Sequence, residues 1–183
     1  MLLLFEDFRQ LGKKMNRQEI KKEYSVTHMR GIVIYDTSYE NTKIIAETIA
    51  ETLKESGLDV HLSHVKDVKE LHARDHDFLV LGSPTRINNM SFAASRFISG
   101  KIKGEEWKDK PFASFDTELP DVIQKSGASA AEKIAKKLSE KGLKQVLPVL
   151  KIAVIGIKGP LKEGEIENTR KYAEGLASEL KGK

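Results

Sequence analysis
The 183-residue chain contains no cysteine. Disulfides, thiolate nucleophiles and cysteine-held clusters are therefore excluded, and any redox chemistry has to be carried by a borrowed cofactor. Long hydrophobic runs are missing too, since no stretch approaches the roughly 20 apolar residues of a membrane-spanning helix. The opening Met1-Leu2-Leu3-Leu4-Phe5 is broken at once by Glu6 and Asp7, unlike the continuous apolar region of a secretory signal. A cytoplasmic protein with no membrane partner is expected. Charge of one sign is also scarce: 31 Lys and Arg stand against 27 Asp and Glu, a net +4. Residues 1–28 hold six against four, which leaves 25 against 23 for the remainder. Positive charge is dispersed among negative, and with aromatics at 7% there is no basic stripe interleaved with rings. No nucleic-acid partner is expected, because that needs a concentrated phosphate-neutralising face.

What is present, 39% hydrophobic and 32% charged residues, suits one globular domain with a sizeable core. The chain is organised around residues 30–42, RGIVIYDTSYENT. Residues 31–35 are the apolar, β-branched run of a buried parallel strand, and residues 36–42 form a polar loop rich in hydroxyls. From Lys43 the period changes, with Ile45, Thr48, Ile49, Thr52 and Leu53 on one helical face and Gly57 placed as its C′ residue. Thr37, Ser38, Asn41 and Thr42 then stand at a helix N-terminus, where free N–H groups and the helix dipole favour an anion. This pattern reads as a phosphate cradle without a lysine.

The strand–helix alternation continues. Residues 58–62 alternate as an edge-proximal strand, and residues 77–82, DFLVLG, form a second buried one. The loop Ser83-Pro84-Thr85-Arg86-Ile87-Asn88-Asn89-Met90 follows, and Ser91 caps a helix with Ala94, Phe97 and Ile98 inward. A charged connection holds Trp107. Residues 110–115, KPFASF, give a third apolar strand, ending in Asp116-Thr117-Glu118-Leu119-Pro120. Ala131, Ile134, Ala135 and Leu138 mark the inner face of the next helix and Gly142 its end. Pro148 splits the last strand region into a piece near Val146 and a main strand over residues 152–157. A turn, Gly159-Pro160-Leu161, feeds a closing helix with Ile166, Ala173, Leu176, Ala177 and Leu180 inward. His72 and His76 have the spacing of a metal pair on a helix, but with no cysteine or third ligand nearby no metal site is assigned. Residues 1–28 read differently. Leu4, Phe8, Leu11 and Met15 recur at helical spacing, and the stretch is expected to be a mis-annotated start ahead of Met29 or, alternatively, a docking or dimerisation helix.

Residues 35–42, YDTSYENT, resemble the FMN-phosphate loop of flavodoxins, and are similar above all to the flavodoxin-like domain of A-type flavoproteins. The Gly-Ser-Pro-Thr at residues 82–85 with its amide-rich turn looks like the flavin-ring loop of the same family. Strand-Phe-Asp-Thr at residues 115–117, with Ser126-Gly127-Ala128 before a helix, corresponds to the third flavin loop. The resemblance covers residues 29–181. It implies an α/β fold, an open five-stranded parallel sheet of order 2-1-3-4-5 with helices on both faces. In that order the loops after strands one, three and four converge on one crevice.

The cofactor implied is FMN. Thr37, Ser38, Tyr39, Glu40, Asn41 and Thr42 supply the phosphate loop. Ser83, Pro84, Thr85, Arg86, Ile87 and Asn88 supply the ring loop, and Phe115, Asp116 and Thr117 the far side of the ring and the ribityl chain. No catalytic acid or base is assigned. Asp116 and Glu118 would disfavour an anionic reduced flavin if close and unscreened. Stacking is weaker than in most flavodoxins, since Ile87, Met90 and Leu119 stand where aromatics are common, and Glu40 is adverse beside a phosphate. The function implied is electron transfer to a redox partner protein, as monomer or dimer. A flavin-dependent NAD(P)H or quinone oxidoreductase and a flavin-free binding or regulatory module on the same fold are the alternatives.

Overall fold
The computed structural model describes residues 29–103, 105–120 and 129–182. The N-terminal extension and Ser126-Gly127-Ala128 lie outside the described residues. Strand β1 (Arg30–Tyr35) is followed by α1 (Asn41–Glu55) and β2 (Asp59–His64). Then come β3 (Phe78–Pro84), α2 (Phe92–Lys101), β4 (Pro111–Glu118) and α3 (Ala130–Glu140). Two short strands, β5 (Lys144–Gln145) and β6 (Leu150–Ala153), precede α4 (Glu165–Gly182). The sheet is parallel with order β2-β1-β3-β4-β5, and β6 also pairs with β4. This is the expected doubly wound order, with the fifth position filled by two pieces on either side of Pro148.

Side chains of the central strands alternate between two apolar layers, which is why their sequences read as continuous hydrophobic runs. Val33, Val80, Phe115 and Ile152 pack under α1 and α4, against Ile45, Ile49, Leu53, Ala173 and Leu176. Ile32, Ile34, Leu81 and Phe112 pack under α2 and α3, against Phe97, Ile98, Ile134 and Leu138. Trp107 is fully buried in this second layer. Helices end and begin where the chemistry requires. Gly57 and Gly142 close α1 and α3 with φ of 84° and 88°, and Ser91 caps α2 by accepting the Ala94 N–H. Ser129 and Glu132 form a reciprocal capping box on α3.

Four expectations are corrected. Strand β4 runs three residues past Phe115, because β3 continues to Pro84 and pairs it as far as Thr117. Strand β6 stops at Ala153 rather than at residue 157. Its partner β4 ends at Glu118, whose carbonyl accepts the Val154 N–H, and Val154 then bridges Leu161 in antiparallel fashion. Ile155 and Ile157, left without a strand to pair with, stand 67% and 77% exposed. Ile166 faces outward at the start of α4, and Thr169 takes the buried position. His72 and His76 flank a single 3-10 turn (Ala73–Asp75) instead of lying on a helix face, and His72 meets Glu70 at 3.4 Å.

Candidate functional site
Parallel strands direct their C-terminal ends to one edge, and where β1 and β3 send their connections to opposite faces a crevice opens. Here that crevice is a cleft of about 440 Å³ between the loops after β1, β3, β4 and β6. The volume lies within the range of small-molecule and cofactor sites.

One wall is the loop into α1. Thr37, Ser38, Tyr39, Asn41 and Thr42 line it. Among the described residues no side chain caps this helix, and the N-cap position is Glu40 in a left-handed conformation, φ 63°. The first-turn N–H groups are therefore not claimed by a hydroxyl. The Thr37 hydroxyl is buried and has no hydrogen-bond partner among the described residues. Thr42 is buried, its Oγ1 2.8 Å from Thr117 Oγ1, which ties the first turn of α1 to the end of β4. Asn41 donates its amide to the Lys158 carbonyl at 3.1 Å. Gly159 sits so close to that amide that a Cβ would lie 2.5 Å from Asn41 Oδ1, and with φ +96° the position requires glycine. Asn41 thus clamps the loop after β6 onto the loop after β1.

The opposite wall is Pro84, Thr85, Arg86 and Ile87, with Thr117, Glu118 and Leu119 at the end of β4. Arg86 and Asn89 exchange backbone hydrogen bonds of 2.8 and 3.0 Å, closing a turn whose two central residues, Ile87 and Asn88, have φ of 48° and 56°. Thr85 Oγ1 donates to Asp116 and accepts the Ala130 N–H. Val154 and Ile157 complete the cleft from the loop after β6.

Five of the residues assigned from the sequence do not line this cleft. Glu40 turns to solvent and pairs with Lys43 at 2.9 Å, which offsets its charge beside the loop. Ser83 is fully buried and accepts the Ser91 N–H, so it orders the β3–α2 connection. Asn88 is exposed at the turn tip. Phe115 points into the core under α1 and α4. Asp116, on the other side of the sheet, accepts the Ala131 N–H and the Thr85 hydroxyl and so holds the start of α3. Val154 and Ile157 were not legible as site residues, although the strand order puts the end of the fifth strand beside the fourth.

Two buried carboxyls share one face of β4: Glu118, at the cleft wall, and Asp116, which does not line the cleft. Burial pushes the Asp116 carboxyl up to about 6 against the opposing hydrogen bonds from Ala131, Thr85 and Ser129. Burial, and then the neighbouring Asp116 charge, push Glu118 up to about 7, with Lys151 acting the other way. Lys151 is itself shared with Glu132 at 3.2 Å. Both carboxyls hold protons more tightly in the folded chain than in the unfolded one. Their contribution is therefore complete below about pH 4 and is lost as pH rises toward 7. We expect the free energy of unfolding, from urea curves, to fall between about pH 4 and pH 7, with a slope of at most about 1.4 kcal/mol per pH unit for each titrating carboxyl. Glu118→Gln is expected to raise the midpoint at pH 8 and flatten that slope. A Glu118→Gln chain that keeps the wild-type pH profile would show that this carboxyl does not titrate in the window.

Comparison with known proteins agrees with the geometry. A family model described as Flavodoxin matches residues 33–155. A flavodoxin from Aquifex aeolicus (strain VF5) is 36% identical over 77 residues, spanning 42% of this chain and 41% of that protein, so less than half of that relative's length is matched. Among solved structures, a flavodoxin from the domain Archaea superimposes with a TM-score of 0.69 at 23% identity, over 84% of this chain and 99% of that one. The rubredoxin oxygen:oxidoreductase from Desulfovibrio gigas gives 0.66 at 18% identity, over 87% of this chain and 38% of that chain. Both structural likenesses concern the fold. With its family model covering the sheet from β1 to the end of β6, this chain belongs to the flavodoxin family.

Proposed function
We propose that the chain binds FMN in this cleft and serves as an electron-transfer protein for a redox partner protein in the cytoplasm. The observation that carries the reading is the N-terminus of α1, uncapped among the described residues, beside the buried Thr37 hydroxyl, which has no partner among them, facing a turn-built apolar wall across the cleft. An uncapped helix N-terminus takes a phosphate group, and Thr37, Ser38 and Thr42 would hold it. Pro84, Ile87, Leu119, Val154 and Ile157 supply the apolar surface for a planar ring. Tyr39, with the Lys158 ammonium 6.0 Å from its ring centre, is the aromatic on the phosphate-loop wall. Among the described residues no helix is long and apolar enough to cross a membrane.

When bound, FMN would supply reversible transfer of one or two electrons. The chain's own residues hold and exclude. The Thr42–Thr117 hydrogen bond fixes the phosphate loop to the sheet, and the Asn41–Lys158 clamp closes the side of the cleft. The buried carboxyls of Glu118, at the cleft wall, and Asp116 place little negative charge there while they are protonated.

The test is a titration of FMN with the purified chain, with desalting and a visible spectrum. Quenched flavin fluorescence, one retained flavin per chain and much weaker retention of riboflavin are expected. Unquenched fluorescence and no retained flavin bands would overturn the reading.

A further inference from the structure
The turn Arg86–Asn89 has a second side. Arg86 and Ile87 face the cleft, while Asn89 and Met90 line a separate groove of about 730 Å³ between α2 and α3. Phe92, Ser95, Lys133, Lys136 and Lys137 form the rest of that groove, and Glu140 stands at the end of α3. Two large apolar side chains stand out on either side of the turn: Phe92, in the groove, is 80% exposed, and Ile87, on the cleft side, is 100% exposed. Ile87 is β-branched and sits at φ 48°, a conformation such residues avoid. Its strain is held in place by the reciprocal Arg86–Asn89 backbone hydrogen bonds. Lys137 reaches across the groove to donate to Ser95 Oγ at 2.9 Å. A solvated lysine face on α3 would account for Lys133, Lys136 and Lys137, but not for an exposed phenylalanine beside them and a strained, exposed isoleucine across the turn. An apolar centre with a charged rim is the anatomy of a protein interface. Here the rim is Arg86 and three lysines against Glu140.

We infer that this face, continuous with the cleft wall through the Arg86–Asn89 turn, is the docking surface for a redox protein that is acidic around its own redox centre. The inference rests on the FMN reading and names its partner's chemistry. Lys133, Lys136 and Lys137 steer the partner by long-range attraction, and Ile87 and Phe92 make the close contact next to the cofactor site.

The FMN-loaded chain, its flavin content first read by absorbance, is reduced with dithionite and freed of excess reductant. It is then mixed in stopped flow with the acidic haem domain of cytochrome b5 or with basic cytochrome c, each ferric haem taking one electron from the reduced flavin. For cytochrome b5 the rate is expected to fall about tenfold as salt rises from about 0.02 to 0.3 M, and for cytochrome c to rise. Lys133→Glu/Lys136→Glu/Lys137→Glu is expected to lower the low-salt cytochrome b5 rate about tenfold and reverse its salt slope. Phe92→Ala is expected to lower the rate about threefold with the slope unchanged. A wild-type cytochrome b5 rate that rises with salt, or a slope that survives the triple charge reversal, overturns the inference. If no flavin is retained, the FMN reading fails first, and amide shifts of the flavin-free chain titrated with cytochrome b5 decide the surface. Shifts centred on residues 86–92 and 133–137 support it, and shifts elsewhere or none overturn it.

Discussion
Gly82→Ala is expected to destabilise the chain by about 3 kcal/mol, at the upper end for overpacking a core. Gly82 on β3 pairs with Phe115 on β4, and Gly31 on β1 pairs with Phe78 on β3. In each pair the outer edge of the ring lies over the glycine. A Cβ on Gly82 would come within 2.1 Å of the Phe115 ring, and one on Gly31 within 2.0 Å of the Phe78 ring. Neither ring can step aside, because both are buried in the layer under α1 and α4. Phe115 shares a face of β4 with Thr117, whose hydroxyl meets Thr42 in the first turn of α1, so a displaced ring disturbs that contact. The same substitution is therefore expected to weaken flavin retention. Urea unfolding checks the first effect, and the double variant Gly82→Ala/Phe115→Leu checks its cause. The smaller side chain makes room, so the double variant should be more stable than the sum of the two single losses predicts. Additive losses, or a Gly82→Ala chain within about 0.5 kcal/mol of wild type, would refute the steric account.

The sequence disclosed most where a residue's environment is set by its own neighbours along the chain. Residues 31–35 are β-branched and apolar because both faces of β1 are covered, and the change of period at Lys43 marks α1 without any knowledge of the sheet. Ends of strands were less legible, because they depend on a partner. β4 extends to Thr117 since β3 extends to Pro84, and β4 and β6 end together at their pair Glu118–Ala153. Polar residues inside strands were the hardest. Ser83 and Asp116 have the chemistry of ligand donors, yet each accepts a backbone N–H from the start of a helix, at Ser91 and Ala131. Nothing local separates a side chain that holds a helix from one that holds a cofactor. The cleft wall at Val154 and Ile157 follows from topology alone. The proposed role of Ile87 rests on a positive φ that its β-branched side chain gives no cause to expect.

Thr42→Glu is expected to reduce FMN affinity by roughly a thousandfold, and riboflavin affinity far less. Thr42 is the second residue of α1, buried, with its side chain directed at the end of β4. A carboxylate there sits at the positive end of the helix and is attracted to the N–H groups that a phosphate would otherwise use. Two like charges about 4 Å apart near a protein surface repel by about 4 kcal/mol, and every 1.4 kcal/mol is a factor of ten in affinity. Riboflavin has no phosphate, so for it the repulsion vanishes and only the loss of the Thr117 hydrogen bond and local crowding remain. Because a buried glutamate could disturb the fold itself, Ser38→Glu provides an independent reading at an exposed position of the same loop. It should discriminate against FMN in the same sense but more weakly, since solvent screens its charge. Titrations of both flavins with both variants, beside unfolding curves, separate the cases. An equal loss of FMN and riboflavin would mean that the loop shapes the cleft without binding phosphate. A loss confined to FMN, shared by both variants, would place the phosphate at the uncapped end of α1.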